Sequence, residues 1–164
     1  MTEFRPAKTS ERDLILDLYT EVKEDGMRSG YCDWNDYYPN EEILDQDFQE
    51  NGIFVLTEND KIIAAVSLMK TDDLDQEPLG WKNLKSCVPA RLCVSVKHQN
   101  KGIAKQVMLE LISHSKKEGF QAIRLLASVC NLPANKLYRD LGFTDKGKVS
   151  LYNKEFTAYE YEIK

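Results

Sequence analysis

Gly102 and Ala104 fall in the run RLCVSVKHQNKGIAKQVMLELI, residues 91–112, where an apolar segment gives way to a helical pattern. The first turn of a helix leaves backbone N–H groups without intrahelical partners, and the helix dipole makes that end electropositive. A phosphate placed there accepts several of those bonds at once, provided no large side chain blocks the backbone. Two of the smallest residues stand at this helix mouth, with Asn100 the only capping side chain nearby. Hydrogen bonds to a charged acceptor contribute roughly 1.5–3 kcal/mol each, so a few of them anchor a pyrophosphate without a metal. Neither GxxxxGK followed by Ser or Thr nor the three-glycine GxGxxG is present. A plain strand-to-helix turn at Gly102 is the competing explanation.

Other chemistry is sparse. Cysteines 32, 87, 93 and 130 are never two or three apart, and His98 and His114 are the only histidines, which is poor material for a zinc site. Cys93 and Cys130 lie in apolar surroundings and are expected to be buried free thiols of a reducing compartment. A net charge of -5 and a pI near 5.2 argue against nucleic acid as a partner, which calls for a basic patch. The opening MTEFRPAKTSERD has no apolar stretch of a secretory signal, and no apolar run is long enough for a bilayer. A cytoplasmic protein is expected, with residues 1–164 as a single domain: the length and the 42% hydrophobic content suit one core.

The elements that position the loop follow from periodicity. A short strand near EFRPA precedes the helix SERDLILDLYTEVKEDG, with Leu14, Ile15, Leu18, Tyr19 and Val22 inward. Ser10 and Asp13 form a variant capping box, and Asp25-Gly26 ends the helix. Residues 27–39 are irregular and carry Tyr31, Trp34, Tyr37 and Tyr38. Asn40 caps a second helix with Ile43, Leu44 and Phe48 inward, stopped by Asn51-Gly52. IFVLTE and KIIAAVSLMK flank Asn59-Asp60 as an antiparallel hairpin. A long acidic loop, TDDLDQEPLGWKNLKS, leads into the strand ARLCVSV. The helix at Gly102 turns Ile103, Val107, Met108, Leu111 and Ile112 inward and ends at a glycine C-cap, Gly119, before Phe120. A strand AIRLLAS, a short helix LPANKLYRDLGF and two final strands complete the chain, the last with Tyr159, Tyr161 and Ile163 on one face and Glu160 and Glu162 on the other. The order βααββ, βαβα, ββ gives a mixed α/β sheet.

QNKGIA after the strand RLCVSV resembles motif A of the GNAT superfamily of acyl-CoA-dependent N-acetyltransferases, Q/R-x-x-G-x-G/A. NLPANKLYRDLGF, residues 131–143, resembles that superfamily's motif B, NxxAxxLYxxxGF, with Asn131, Ala134, Leu137, Tyr138, Gly142 and Phe143 in register. The resemblance is sharpest over residues 91–145. It implies a GNAT-like α/β fold with a central mixed, mostly antiparallel sheet and helices on both faces. It also implies transfer of an acetyl or other short acyl group from acetyl-CoA to a primary amine by direct attack in a ternary complex, with no metal. A non-catalytic acyl-CoA-binding or sensing domain of the same fold is the alternative. By the same resemblance the pyrophosphate loop is Gln99, Asn100, Lys101, Gly102, Ile103, Ala104 and Lys105. The backbone of Cys93, Val94 and Val96 meets the pantetheine arm and acetyl carbonyl, while Asn131 and Ala134 flank that arm. Tyr138 acts as general acid toward the leaving thiolate, a kind of help typically worth about 10²–10⁴-fold, and a core tyrosine with a satisfied hydroxyl is the competing explanation. The family often forms homodimers, and its acceptors are small-molecule or peptide amines.

The base that takes the amine's proton is left open. His98 stands in the loop and His114 in the following helix, while Asp33, Asp36, Glu41 and Asp72 sit in or beside loops. The aromatic-acidic stretch YCDWNDYYP suits a cationic amine, through its carboxylates and through cation–π contact, and it equally suits packing of the first helices. Trp81 is open to the same two explanations.

Overall fold

The computed structural model describes residues 1–29 and 34–164. Among them the elements run β1 (Thr2–Pro6), α1 (Arg12–Ser29), α2 (Glu41–Gln49), β2 (Ile53–Glu58), β3 (Lys61–Met69), β4 (Ser86–Val94), α3 (Ile103–Lys117), β5 (Ala122–Ser128), α4 (Leu132–Asp140), β6 (Thr144–Leu151) and β7 (Lys154–Glu162). This is the expected order. The strands form a mixed, mostly antiparallel sheet, β1-β2-β3-β4-β5-β7-β6. The chain divides into two compact units, Met1–Leu68 with Arg91–Glu110, and Met69–Ala90 with Leu111–Lys164, and β4 and α3 pass from one to the other.

In the first unit β1 lies antiparallel to β2, Thr2 opposite Glu58 and Pro6 opposite Phe54. The β2–β3 hairpin turns at Asn59 and Asp60 with φ of 51° and 67°, the double left-handed geometry of a two-residue turn that Asn and Asp tolerate. Its core gathers Ile15, Leu18 and Tyr19 of α1, Leu44 of α2, Ile53, Val55, Ala65 and Cys93. Leu14 is 58% exposed instead of inward, since it stands at the edge of the arc that Ile15, Leu18, Tyr19 and Val22 define. At Gly52, between α2 and β2, a Cβ would meet the Leu68 carbonyl oxygen at 2.8 Å, so only glycine fits there.

Two helix ends differ from expectation. Glu11, not Asp13, closes the start of α1: its carboxylate accepts from Lys8 N–H at 2.8 Å and from Arg5 at 2.9 and 2.7 Å, in a 3-10 turn over Thr9–Glu11. The helix also runs through Gly26 to Ser29; a helical glycine costs only ~1 kcal/mol, which tertiary packing readily offsets. Asn40 caps α2 as expected, accepting from Ile43 N–H at 2.9 Å.

The Arg5 hydrogen bond holds the Glu11 carboxyl down to about 2, from 4.5. A depressed folded-state pKa means that this stabilisation is complete above pH 4.5 and is lost as pH falls toward 2. Glu11→Gln is therefore expected to flatten the acid limb of a denaturation profile in that window, measured by circular dichroism.

In the second unit β4 pairs parallel with β5 at Ser86–Ala122 and Cys87–Ile123. β5 then runs antiparallel to β7, from Ala122–Glu162 to Ser128–Phe156, and β6 pairs with β7. β4 starts at Ser86, earlier than Ala90, and runs through Pro89 to the left-handed backbone at Arg91, φ 56°. The loop before it is not structureless. Asp72 caps a 3-10 turn over Asp73–Gln76, accepting from Leu74 N–H at 2.8 Å. The buried Arg124 of β5 holds the rest: it donates to Glu160 Oε2 at 2.9 Å, Asp75 Oδ1 at 3.2 Å and the Lys82 carbonyl at 2.6 Å, with its guanidinium 5.0 Å from the Trp81 ring centre. Glu160, expected on an outer face, is buried by this contact. Cys87 and Cys93 are buried free thiols, but Cys130 is exposed and disulfide-bonded, not the buried free thiol expected.

Candidate active site

The chain leaves β4 at Val94 and reaches α3 through a 3-10 turn, Val96–His98, and the residues Gln99–Gly102. Ser95 N–H donates to the Ile63 carbonyl at 2.8 Å, fixing the end of β4 to β3. Gln99 Nε2 donates to the Val94 carbonyl at 3.1 Å, tying the loop back to its strand. Asn100 and Gly102 both take left-handed backbone, φ 62° and 78°. A Cβ at Gly102 would meet nothing within 4 Å, so the space in front of this residue is open.

The first intrahelical bond of α3 runs from Gln106 N–H to the Gly102 carbonyl at 3.1 Å. Among the described residues, no acceptor takes up the amides of Gly102, Ile103, Ala104 or Lys105. A row of free donors at an electropositive helix end, with Lys101 and Lys105 exposed beside it, fits a pyrophosphate.

The strand residues behave less uniformly. The Cys93 thiol is buried, and burial pushes its pKa up to about 12, so it offers its backbone and not a thiolate. Val94 has its carbonyl engaged by Gln99. Val96 N–H is already committed to Glu21 Oε2 of α1 at 2.7 Å. Nothing in the sequence pairs Glu21 with Val96, which are remote along the chain.

Asn131, Ala134 and Tyr138 belong to the second unit, whereas Cys93 through Lys105 belong to the first. Asn131 caps α4, its Oδ1 accepting from Ala134 N–H at 3.1 Å. Asn135, which the sequence did not single out, secures the helix: its Nδ2 donates to the carbonyls of Ser128 at 2.9 Å and Asn131 at 2.8 Å, and its Oδ1 accepts from the Tyr159 hydroxyl at 2.6 Å. Tyr138 is buried, its ring 5.6 Å from Phe143 and 5.8 Å from Tyr159. Packing thus fixes the direction of its side chain.

The open candidates for base and acceptor contacts separate. Glu41 is paired with Arg12 at 3.0 Å, and Asp72 serves as a cap. His98 Nε2 is 4.0 Å from Glu58, and His114 Nε2 is 3.8 Å from Glu118. Tyr31 and Asp33 lie outside the described residues. Trp34 packs edge-on against Tyr19 at 5.4 Å, and Trp81 donates to the Leu74 carbonyl at 3.2 Å, so both have packing roles. Asn35 and Tyr38 bridge each other through backbone bonds of 3.1 and 3.2 Å, and the turn between them presents Asp36 and Tyr37 to solvent. Among the described residues no cluster of His, Cys, Asp or Glu is placed to hold a metal, and no helix is long and apolar enough to cross a membrane.

The sequence matches the Acetyltransferase (GNAT) family over residues 15–143, and the chain belongs to that family, whose members use acetyl-CoA and act on amine acceptors. Solved structures agree on the fold. A GNAT-family acetyltransferase from Streptococcus agalactiae superposes with a TM-score of 0.84 at 21% identity, covering 99% of this chain and 95% of its own. A putative acetyltransferase from Staphylococcus aureus is 27% identical, with a TM-score of 0.74 over 98% of this chain and 99% of its own. A putative acetyltransferase from Salmonella typhimurium, solved with its cofactor acetyl-CoA, is 16% identical, with a TM-score of 0.73 over 99% and 94%. No curated protein matches the sequence.

Proposed function

We propose that this chain is an N-acetyltransferase that moves the acetyl group of acetyl-CoA directly onto a primary amine in a ternary complex, with residues 1–164 working as one catalytic domain. The observation that carries the reading is the open, left-handed Gly102 ahead of a helix whose first amides have no acceptor. Those amides, from Gly102 to Lys105, hold the pyrophosphate, and Lys101 and Lys105 add positive charge. By the family resemblance, the backbone of Cys93 and Val94 serves the pantetheine arm in the first unit, and Asn131 and Ala134 are the cofactor contacts of the second unit. Val96 is placed by its bond to Glu21.

The amine nitrogen attacks the thioester carbon, the C–S bond breaks, and the Tyr138 hydroxyl gives its proton to the departing sulfur. The ammonium proton passes to a side-chain base or to solvent, and the Tyr138 phenolate regains a proton from solvent. Among the described residues the free thiols are Cys87 and Cys93, and burial raises the pKa of each, which disfavours them as nucleophiles for a covalent acyl intermediate and favours direct transfer. Asp36 and Tyr37, exposed on one turn, suit a cationic acceptor.

Two measurements test this. Acetyl-CoA at a hundred times its Kd adds about 2.7 kcal/mol of stability, which for a chain of this size raises Tm by roughly 5–11 °C, with NADH and ATP as controls. Tyr138→Phe should leave acetyl-CoA affinity nearly unchanged and slow acetyl transfer by at least roughly tenfold. An unchanged rate removes Tyr138 from the mechanism, and no thermal shift with acetyl-CoA removes the loop.

A further inference from the structure

We infer that Arg91 is a positioning residue that couples the Gly102 loop to the turn Asn35–Tyr38, on the acceptor side of the enzyme; this rests on the function proposed above. Arg91 sits inside β4 with φ 56°, a left-handed backbone that is unfavourable for a residue with a side chain. Its side chain is 9% exposed and makes a bidentate pair with Asp47 of α2, itself 6% exposed, through two bonds of 2.8 Å. The Ser67 hydroxyl donates to the same carboxylate at 2.6 Å. The bend in β4 is therefore held by a buried, hydrogen-bonded anchor.

A pair that served stability alone would end there. Arg91 Nη1 also donates to the Tyr38 hydroxyl at 3.2 Å. Tyr38 closes the small turn that carries Asp36 and Tyr37, so holding its hydroxyl holds that turn. On the other side, the bend at Arg91 leads directly to Val94, whose carbonyl is bound by Gln99 of the loop. The bond from Gln99 to Val94 and the bond from Arg91 to Tyr38 are joined by three residues of β4 backbone, all within the first unit. Filling the loop tightens this connection and orders the turn before the amine arrives.

Hydrogen exchange with and without saturating acetyl-CoA, on the full chain, tests the coupling. In the wild type, acetyl-CoA should slow exchange across residues 34–40 by about fivefold or more, at the low end of typical coupling energies. Tyr38→Phe, which deletes only the hydroxyl that Arg91 reaches, should still bind acetyl-CoA by calorimetry but lose this slowing. The double variant Arg91→Met, Asp47→Leu should do the same, since apolar replacement of a buried ion pair often preserves folding. Equal slowing in wild type and Tyr38→Phe, or binding to the wild type without slowing, overturns the proposal and leaves the acetyl-CoA reading in place. No calorimetric binding to the wild type overturns that reading and the proposal with it.

Discussion

Glutamate in place of Gly102 should abolish acetyl-CoA binding and leave the protein folded. The two halves of this expectation come from different observations. The φ of 78° makes any side chain at position 102 unfavourable by roughly 1–2 kcal/mol, a tolerable loss for a domain of this size. A Cβ there meets no atom of the protein within 4 Å, so no steric penalty is added. A carboxylate at this position stands beside the unpaired helix amides and repels a pyrophosphate held by them. Calorimetric titration at concentrations that saturate the wild type should give no heat of binding, with the circular dichroism spectrum unchanged. Gly102→Ala, without the charge, should weaken binding less. Wild-type affinity in the glutamate variant would mean that the phosphates bind elsewhere.

The second large effect concerns the fold. Arg124→Ala should lower stability by about 3–5 kcal/mol, because it leaves a buried carboxylate without its main partner. Glu160 is 4% exposed, and the nearest remaining cation, Lys146 Nζ, stands at 3.7 Å. The same change frees the Lys82 carbonyl and the Trp81 ring, which Arg124 holds. At roughly 2–4 °C per kcal/mol for this chain length, Tm should fall by about 6–20 °C. Arg124→Met combined with Glu160→Leu should recover much of that loss, since an apolar pair of similar volume needs no compensation for a stranded charge. A stability loss from urea unfolding of less than about a tenth of 3–5 kcal/mol for Arg124→Ala would show that water already reaches Glu160.

What the sequence revealed and what it hid divide along a physical line. Local signals carried the element order: Asn40 as a cap, Asn59-Asp60 as a turn, Gly119 and Gly142 as helix ends, and AIRLLAS as a strand all act within a few residues of chain. The turn at Gly102 was legible for the same reason, as a small residue between a strand and a helix. The buried charges were not legible. Nothing in the local pattern marked Asp47, Arg91 or Glu160 for burial. Each is buried because a partner distant in sequence neutralises it, and periodicity cannot report such pairs. Hydrophobicity also misplaced Cys130 and Leu14, because an apolar residue is free to lie at a surface. Tyr38 was noticed as an aromatic, but its bond to Arg91 is a fact of three dimensions.

The two tryptophans fall one in each compact unit, Trp34 against the Tyr19 ring and Trp81 over the Arg124 guanidinium. Each is an optical label in a distinct electrostatic setting, a neighbouring phenol for one and a cation for the other. Trp81→Phe leaves an emission signal from the unit that carries the Gly102 loop, and Trp34→Phe leaves one from the unit that carries Tyr138. Melting curves recorded from these two variants would coincide for a molecule that unfolds in one step. Curves that part on heating would show that the two blocks unfold in separate steps.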